Sequence, residues 1–276
     1  MSDVLRRSAA HVFVESLNNP QLDDLDAHHL LKVLRVRDSD SISLSDGIGG
    51  WMTATLSKDA SLKATCEIQR IDAPRWPLVV AFAPVKGEKP EVIVQKLTEI
   101  GIDEIIPLTP TRFSVVKWDA ARAEKLFERL QRVAREAAMQ SRRVWLPKVC
   151  GVTPLASVLT QYSASLAEPG GKPVDENDRC VVIGPEGGFA PEELEQCAKR
   201  VSLGESILRA ETAAIVAGAL MSRCRREIAG VWNEATRPMN CRIRAWWASV
   251  CAQFASRKTF RSATSNNPPN RSSNHL

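Results

Sequence analysis

Two prolines within the five residues APRWP, at 73–77, divide a chain whose hydrophobic pattern differs on either side of them. Proline fixes φ and lacks an N–H, so this stretch resists both helix and central strand and marks a domain boundary. Before it, apolar residues come in short alternating runs, HVFV at 11–14, SISLS at 41–45, WMTATL at 51–56 and ATCEIQRI at 64–71, between turn-rich DGIGG and SKDASLK. Alternation with period two marks half-buried strands and predicts a small β-rich domain over 1–73. One helical piece interrupts it at 26–36, where Leu30, Leu31, Val33 and Leu34 share a face flanked by His28, His29, Arg35 and Arg37.

From Leu78 the pattern changes. LVVAFAP suits a strand buried on both faces, 90–100 a helix opened by proline in its first turn, and IDEIIPL the next strand. A long polar helix is predicted over 119–141, with Leu126, Leu130, Val133 and Ala137 on one stripe and Arg122, Arg129, Arg132 and Arg135 largely off it. VWLPKV, a helix from Thr153, a weak strand at 164–167 and the strong strand CVVIG at 180–184 follow. PEELEQCAKR reads as a short helix, SLGESILR as a strand and loop, and 210–224 as an Ala-rich helix. Such alternation buries a mostly parallel sheet beneath helices on both faces, so 78–226 is expected to be an α/β domain.

Residues 227–276 carry seven Lys/Arg against two Asp/Glu, which accounts for the whole net charge of +5. Within the neutral remainder, 112–148 holds ten Lys/Arg against four Asp/Glu. That stretch is the first candidate for a polyanion-facing surface, although a solvated helix face has the same composition. The terminal RSATSNNPPNRSSNHL cannot repay the entropy of ordering, so this basic C-terminal extension is expected to be largely disordered, with an amphipathic helix over 240–255 as the alternative. Seven scattered cysteines with no CxxC argue for reduced structural thiols, not disulfides or zinc. Trp51, Trp76, Trp118 and Trp145 read as core or interface anchors. The lack of a long apolar run or leader predicts a cytoplasmic protein with no membrane partner.

The densest chemical signal is IGPEGGFAPEE at 183–193, a glycine-rich junction between a buried strand and a helix. Gly184, Gly187 and Gly188 can adopt positive φ and place no side chain between main chain and ligand; a tight turn needs the same residues. It is neither GxGxxG nor GxxxxGK[ST], which disfavours dinucleotides and nucleoside triphosphates. SLGESILRAETAAIVAGAL at 202–220 repeats the layout of strand, glycine, loop and helix. Two such loops at the carboxyl ends of strands would wall one crevice, where open α/β sheets bind ligands. Arg209 and Glu211 are equally readable as a local ion pair.

Together with HHLLKVLRVRDSD, KGEKPEVIVQKLTEIG (86–101), IIPLTPTRFSVV (105–116) and REAAMQSRRVWLPKV (135–149), these loops resemble the SPOUT-type methyltransferases. Within them, the chain is similar to the bacterial small-subunit ribosomal RNA methyltransferase E family over 1–225, in family order. The resemblance implies an α/β-knot (trefoil knot) methyltransferase domain behind a PUA-like β-barrel, S-adenosyl-L-methionine as cofactor, no metal, and a homodimer. The implied reaction methylates N3 of a specific uridine in 16S rRNA of the small ribosomal subunit; a noncatalytic RNA-binding or ribosome-assembly factor is the alternative.

By that resemblance the cofactor is held by Ile183, Gly184, Pro185, Glu186, Gly187 and Gly188, by Leu203, Gly204, Ile207, Leu208 and Arg209, and by a third wall near 166–169, with Leu166 as its named residue. Transfer is a direct displacement in which the protein aligns the reactants. Uracil N3 is a poor nucleophile until its proton leaves, so cations near the base would favour the anion. Arg112 and Arg143 are the implied catalytic cations, and Glu136 and Glu211 the groups that orient or take the proton. His29, Lys32, Arg35, Arg112, Gln140, Arg142 and Arg143 are expected to contact RNA, with phosphate contacts along the basic helix. One departure stands out: Met139 occupies the place where the family usually has Glu before Gln140.

Overall fold

The structure, a computed structural model, describes residues 3–38, 40–116 and 120–228. It divides into two units, Met1–Arg225 and Arg226–Leu276, and the account below concerns the first. The expectations for the extension beyond Ile228, disordered or helical, and for Trp118 fall outside the described residues.

A short helix, α1 (Asp3–Arg7), precedes a five-stranded sheet of β1 (His11–Phe13), β2 (Ser41–Ser45), β3 (Gly50–Leu56), β4 (Leu62–Ala64) and β5 (Gln69–Arg70). β1 and β2 are parallel, and β3 runs antiparallel to β2, β4 and β5. The period-two pattern sends Val12, Ile42, Leu44, Met52, Ala54 and Leu56 into one core. The single run expected at 64–71 splits in two because the Cys66 sulfur takes the Thr53 N–H at 3.2 Å, a donor that a continuous strand would have used. The helix expected at 26–36 is also irregular. α2 (Asp24–His28), capped by the Asp23 carboxylate accepting from the Asp26 N–H at 2.6 Å, runs into a π-helical turn, His29–Val33. That turn is followed by Arg35 at φ 54°.

The second sheet contains β6 (Val79–Phe82), β7 (Glu104–Pro107), β8 (Lys148–Val149), β9 (Ala164–Pro173), β10 (Cys180–Ile183) and β11 (Arg200–Ser202). All pairings are parallel, in the order β11-β9-β10-β6-β7-β8. Between them lie α3 (Lys89–Ile100), α4 (Ala120–Gln140), α5 (Leu155–Gln161), α6 (Pro191–Glu195) and α7 (Ala210–Ile228). Leu78, Val80, Phe82, Val181 and Ile183 pack in one cluster with residues of α3, α4 and α7, whereas Val79, Ala81 and Val182 pack with Leu155 and Val158 of α5. Burial on both faces explains the uninterrupted apolar runs of β6 and β10, and each fully buried Phe82, Leu97 or Ile105 contributes about 1.5–3 kcal/mol. Among the described residues no helix is long and apolar enough to cross a membrane.

The end of α4 and the segment after it join the two sheets. Arg142, at φ 59°, donates to the Ser8 carbonyl at 3.1 Å; Gly49 N–H donates to Val144 O at 3.0 Å; and Trp145 Nε1 donates to Ile71 O at 2.9 Å. Arg135 grips both carboxylate oxygens of Asp26, at 2.6 and 3.2 Å. Met139 packs against the core of the small sheet while its sulfur accepts from Arg135 at 3.3 Å, so this departure from the family is a packing residue of the junction.

His11 lies in the same junction, 2% exposed, with Nδ1 2.8 Å from Ser43 Oγ and Nε2 2.9 Å from the Arg143 carbonyl. Burial pushes its pKa down to about 4, against 6.5 when free. Between those values the unfolded chain binds the extra proton, so stability is complete above the upper value and declines as pH falls through the window, by up to roughly 3 kcal/mol. Urea denaturation near pH 7 and near pH 4 is expected to show that loss, and His11→Gln to shrink the difference.

Candidate active site

Two loops at the carboxyl ends of β10 and β11 and an excursion within β9 enclose a cavity of about 610 Å³. The turn after β10 supplies residues 183–188, and the loop after β11 supplies 202–208, with Ala210 and Ala213 of α7 behind it. The third wall is an excursion inside β9. Leu166 pairs with Arg200, but Val201 pairs with Lys172, so 167–171 loop out of the ladder and Ala167, Glu168, Pro169 and Gly170 face the cavity. Gly171 permits the return, because a Cβ there would lie 2.6 Å from the Val201 carbonyl carbon.

The walls are charged in a particular way. Burial pushes the Glu168 carboxyl above the ordinary range, opposed by Arg200 and the Phe189 N–H. Lys89, at the start of α3, stands 3.1 Å from Glu211 Oε1 and 4.0 Å from Glu186 Oε1. The turn following β7 covers the glycine turn from outside, since a Cβ on Gly187 would lie 2.9 Å from Phe113 Cβ. Next to it, Arg112 donates from Nη1 to Glu192 at 2.8 Å and from its main chain to Glu193 at 3.2 Å.

Of the expected cofactor residues, Ile183, Gly184, Pro185, Glu186, Gly187, Gly188, Leu203, Gly204, Ile207 and Leu208 line this cavity. Leu166 and Arg209 do not. Strand alternation turns Leu166 into the core on the α5 side, fully buried, so the wall begins one residue later at Ala167. Arg209 is exposed, and its carbonyl accepts from the Ala213 N–H in the first turn of α7.

The expected catalytic residues separate. Arg112 adjoins the glycine turn and Glu211 opens α7, but Arg143 lies at the opposite, amino end of the sheet. Its side chain, 13% exposed, donates to Thr98 O at 3.0 Å, Ile102 O at 2.7 Å and Asp103 Oδ1 at 3.3 Å, all just before β7 begins. Burial pulls its pKa down to about 10 despite Asp103, and the charged side chain, bound to these three acceptors, ties the amino end of the sheet and does not line the cavity. Glu136 and Gln140 line a separate groove between α3 and α4 with Glu91 and Gln95, and Arg142 donates to the Ser8 carbonyl at the junction of the two sheets. His29, Lys32 and Arg35 are exposed on the irregular helical piece before β2. Sequence reasoning placed the third wall over the stretch that holds Glu168 without singling that carboxylate out, and missed Lys89, which is recognisable only through its partners.

A parallel α/β sheet with a glycine-walled cavity at its strand ends, behind a small five-stranded sheet, defines a class. A family model described as an RNA methyltransferase domain matches residues 72–222, and one described as an RNA methyltransferase PUA domain matches 22–69. The ribosomal RNA small subunit methyltransferase E of Mycobacterium tuberculosis is 32% identical over 229 residues, covering 73% of this chain and 87% of the relative. That of Bacillus subtilis is 30% identical over 220 residues, covering 70% and 85%. The chain belongs to the ribosomal RNA small subunit methyltransferase E family. Among solved structures, a methyltransferase from Legionella pneumophila in complex with bound S-adenosylmethionine superposes with TM-score 0.67 at 26% identity, covering 79% of this chain and 98% of that one. The ribosomal RNA small subunit methyltransferase E from Neisseria gonorrhoeae, bound to S-adenosylmethionine, gives 0.64 at 27% identity, covering 78% and 97%.

Proposed function

We propose that this chain methylates N3 of a specific uridine in 16S rRNA, with S-adenosyl-L-methionine as donor. The observation that carries the reading is the cavity. Positions 188 and 204 have nothing within 4 Å of where a Cβ would stand, so bare main chain leaves a cradle that any side chain would fill. Its volume lies within the range of small-molecule sites. Main-chain groups of 184–188 suit the edge of adenine, Leu203, Ile207 and Leu208 offer apolar contact, and Glu168 adds a carboxylate. Bound there, the cofactor supplies a methyl group activated on a sulfonium. The remaining work falls to the chain: Arg112 is the cation we assign beside the uracil, and Glu211 the group assigned to its N3 proton.

Isothermal titration with S-adenosylmethionine tests the reading, with saturable binding expected. No binding would overturn it and favour the noncatalytic RNA-binding alternative. In cells, deletion is expected to remove 3-methyluridine from 16S rRNA by mass spectrometry, and the wild-type chain to restore it.

The basic face of α4 is read as a phosphate track. Lys125 and Arg132 line a groove with Val85 and Pro90 at the start of α3. The double substitution Lys125→Gln, Arg132→Gln is expected to weaken rRNA binding at moderate salt and to reduce the salt slope by about two, roughly one per phosphate contact. An unchanged slope would make this face a solvated surface only.

We further read 1–73 and 78–226 as the two domains, the chain around the cavity as threading a trefoil knot, and the protein as a cytoplasmic homodimer. Family membership supports the knot. Exposed Ile207, which lines the cavity, and exposed Phe113, which packs on its glycine turn, support the dimer, which sedimentation equilibrium checks.

A further inference from the structure

Lys89 has no part in the roles assigned above. Its two partners belong to different arms of the cavity: Glu186 lines it from the glycine turn, and Glu211 stands on α7 beside Ala210, which lines it from the other side. Lys89 itself comes from a third element, α3, which opens after β6. One ammonium group therefore connects segments separated by more than twenty residues of sequence.

Glu211 is left half satisfied. Oε1 meets Lys89 at 3.1 Å, whereas Oε2 is buried without a hydrogen-bond partner. An acceptor that has lost water and gained no donor is costly, and such oxygens persist where they have a task. The charged groups facing this carboxylate are Lys89 from α3 and Arg209 immediately before α7, with Glu186 on the far side of Lys89. Burial would raise the Glu211 pKa, but its own N–H, Lys89 and Arg209 outweigh burial and hold it below the usual range.

We propose that Lys89 is a positioning residue that ties the glycine turn to α7 and holds Glu211 by one oxygen, leaving Oε2 as the ionised acceptor of the uracil N3 proton. In that step the N3–H bond breaks, an Oε2–H bond forms, and the electron pair stays on N3. This rests on the reading of the cavity and reaction given above.

The test uses the full-length chain with carboxyl-labelled glutamate, the Glu211 signal being assigned by its loss in Glu211→Gln. In the cofactor-free protein, Lys89→Met is expected to move the Glu211 titration to higher pH, and Lys89→Arg to restore it. S-adenosylmethionine affinity should fall about tenfold in Lys89→Met and recover in Lys89→Arg. An unchanged Glu211 titration in a folded Lys89→Met protein overturns the proposal. Should Lys89→Met fail to fold, Lys89→Gln provides the same readout. A wild-type chain that binds no S-adenosylmethionine defeats the cofactor reading and with it the proton-accepting role of Oε2, whereas the titration, read without cofactor, still decides whether Lys89 holds Glu211.

Discussion

Valine in place of Gly188 is expected to raise the S-adenosylmethionine Kd by at least about a hundredfold while the protein still unfolds cooperatively. Two effects combine. The residue sits at φ 75°, a region that β-branched residues essentially avoid, so the turn must shift or carry strain of about 1–3 kcal/mol. In addition, the space beside Gly188 is open and belongs to the cavity, so the new methyl groups would occupy the volume assigned to the cofactor. Titration calorimetry reads the affinity, and a urea melt of the same sample separates it from global unfolding. Affinity equal to wild type would mean that this turn does not hold the ligand.

Arg143→Ala is expected to cost about 3 kcal/mol of folding stability. The substitution strips the buried Ile102 carbonyl of its donor, takes one of two donors from the Thr98 carbonyl, which keeps the Gly101 N–H, and removes one of two arginines from Asp103, the other being Arg225. Those groups sit where α3 turns into β7, and the Arg143 carbonyl itself receives His11 from β1, so the damage falls on the junction of the two sheets and not on the cavity. Equilibrium denaturation measures the loss; at low temperature the folded fraction should bind S-adenosylmethionine with wild-type affinity. If the variant were as stable as wild type but inactive, the sequence-based reading of Arg143 as a catalytic cation would return. Arginine between a helix end and a strand start carries no local mark that distinguishes it from an arginine facing RNA.

The period of the apolar residues was enough to place β2 at 41–45 and the helix at Pro90, because each depends on interactions within one element or its immediate neighbours. The glycines of 184–188 were readable for the same reason: only residues without a side chain permit that turn and its open cradle. Which charged side chains meet beside the cradle was decided by tertiary structure. The excursion that exposes Glu168, the bridge from Lys89 to Glu186 and Glu211, and the removal of Arg143 to the opposite end of the sheet all depend on segments far apart in sequence. Local pattern records what a residue prefers, whereas the charges and hydrogen bonds of a site depend on distances set only once the layers have packed.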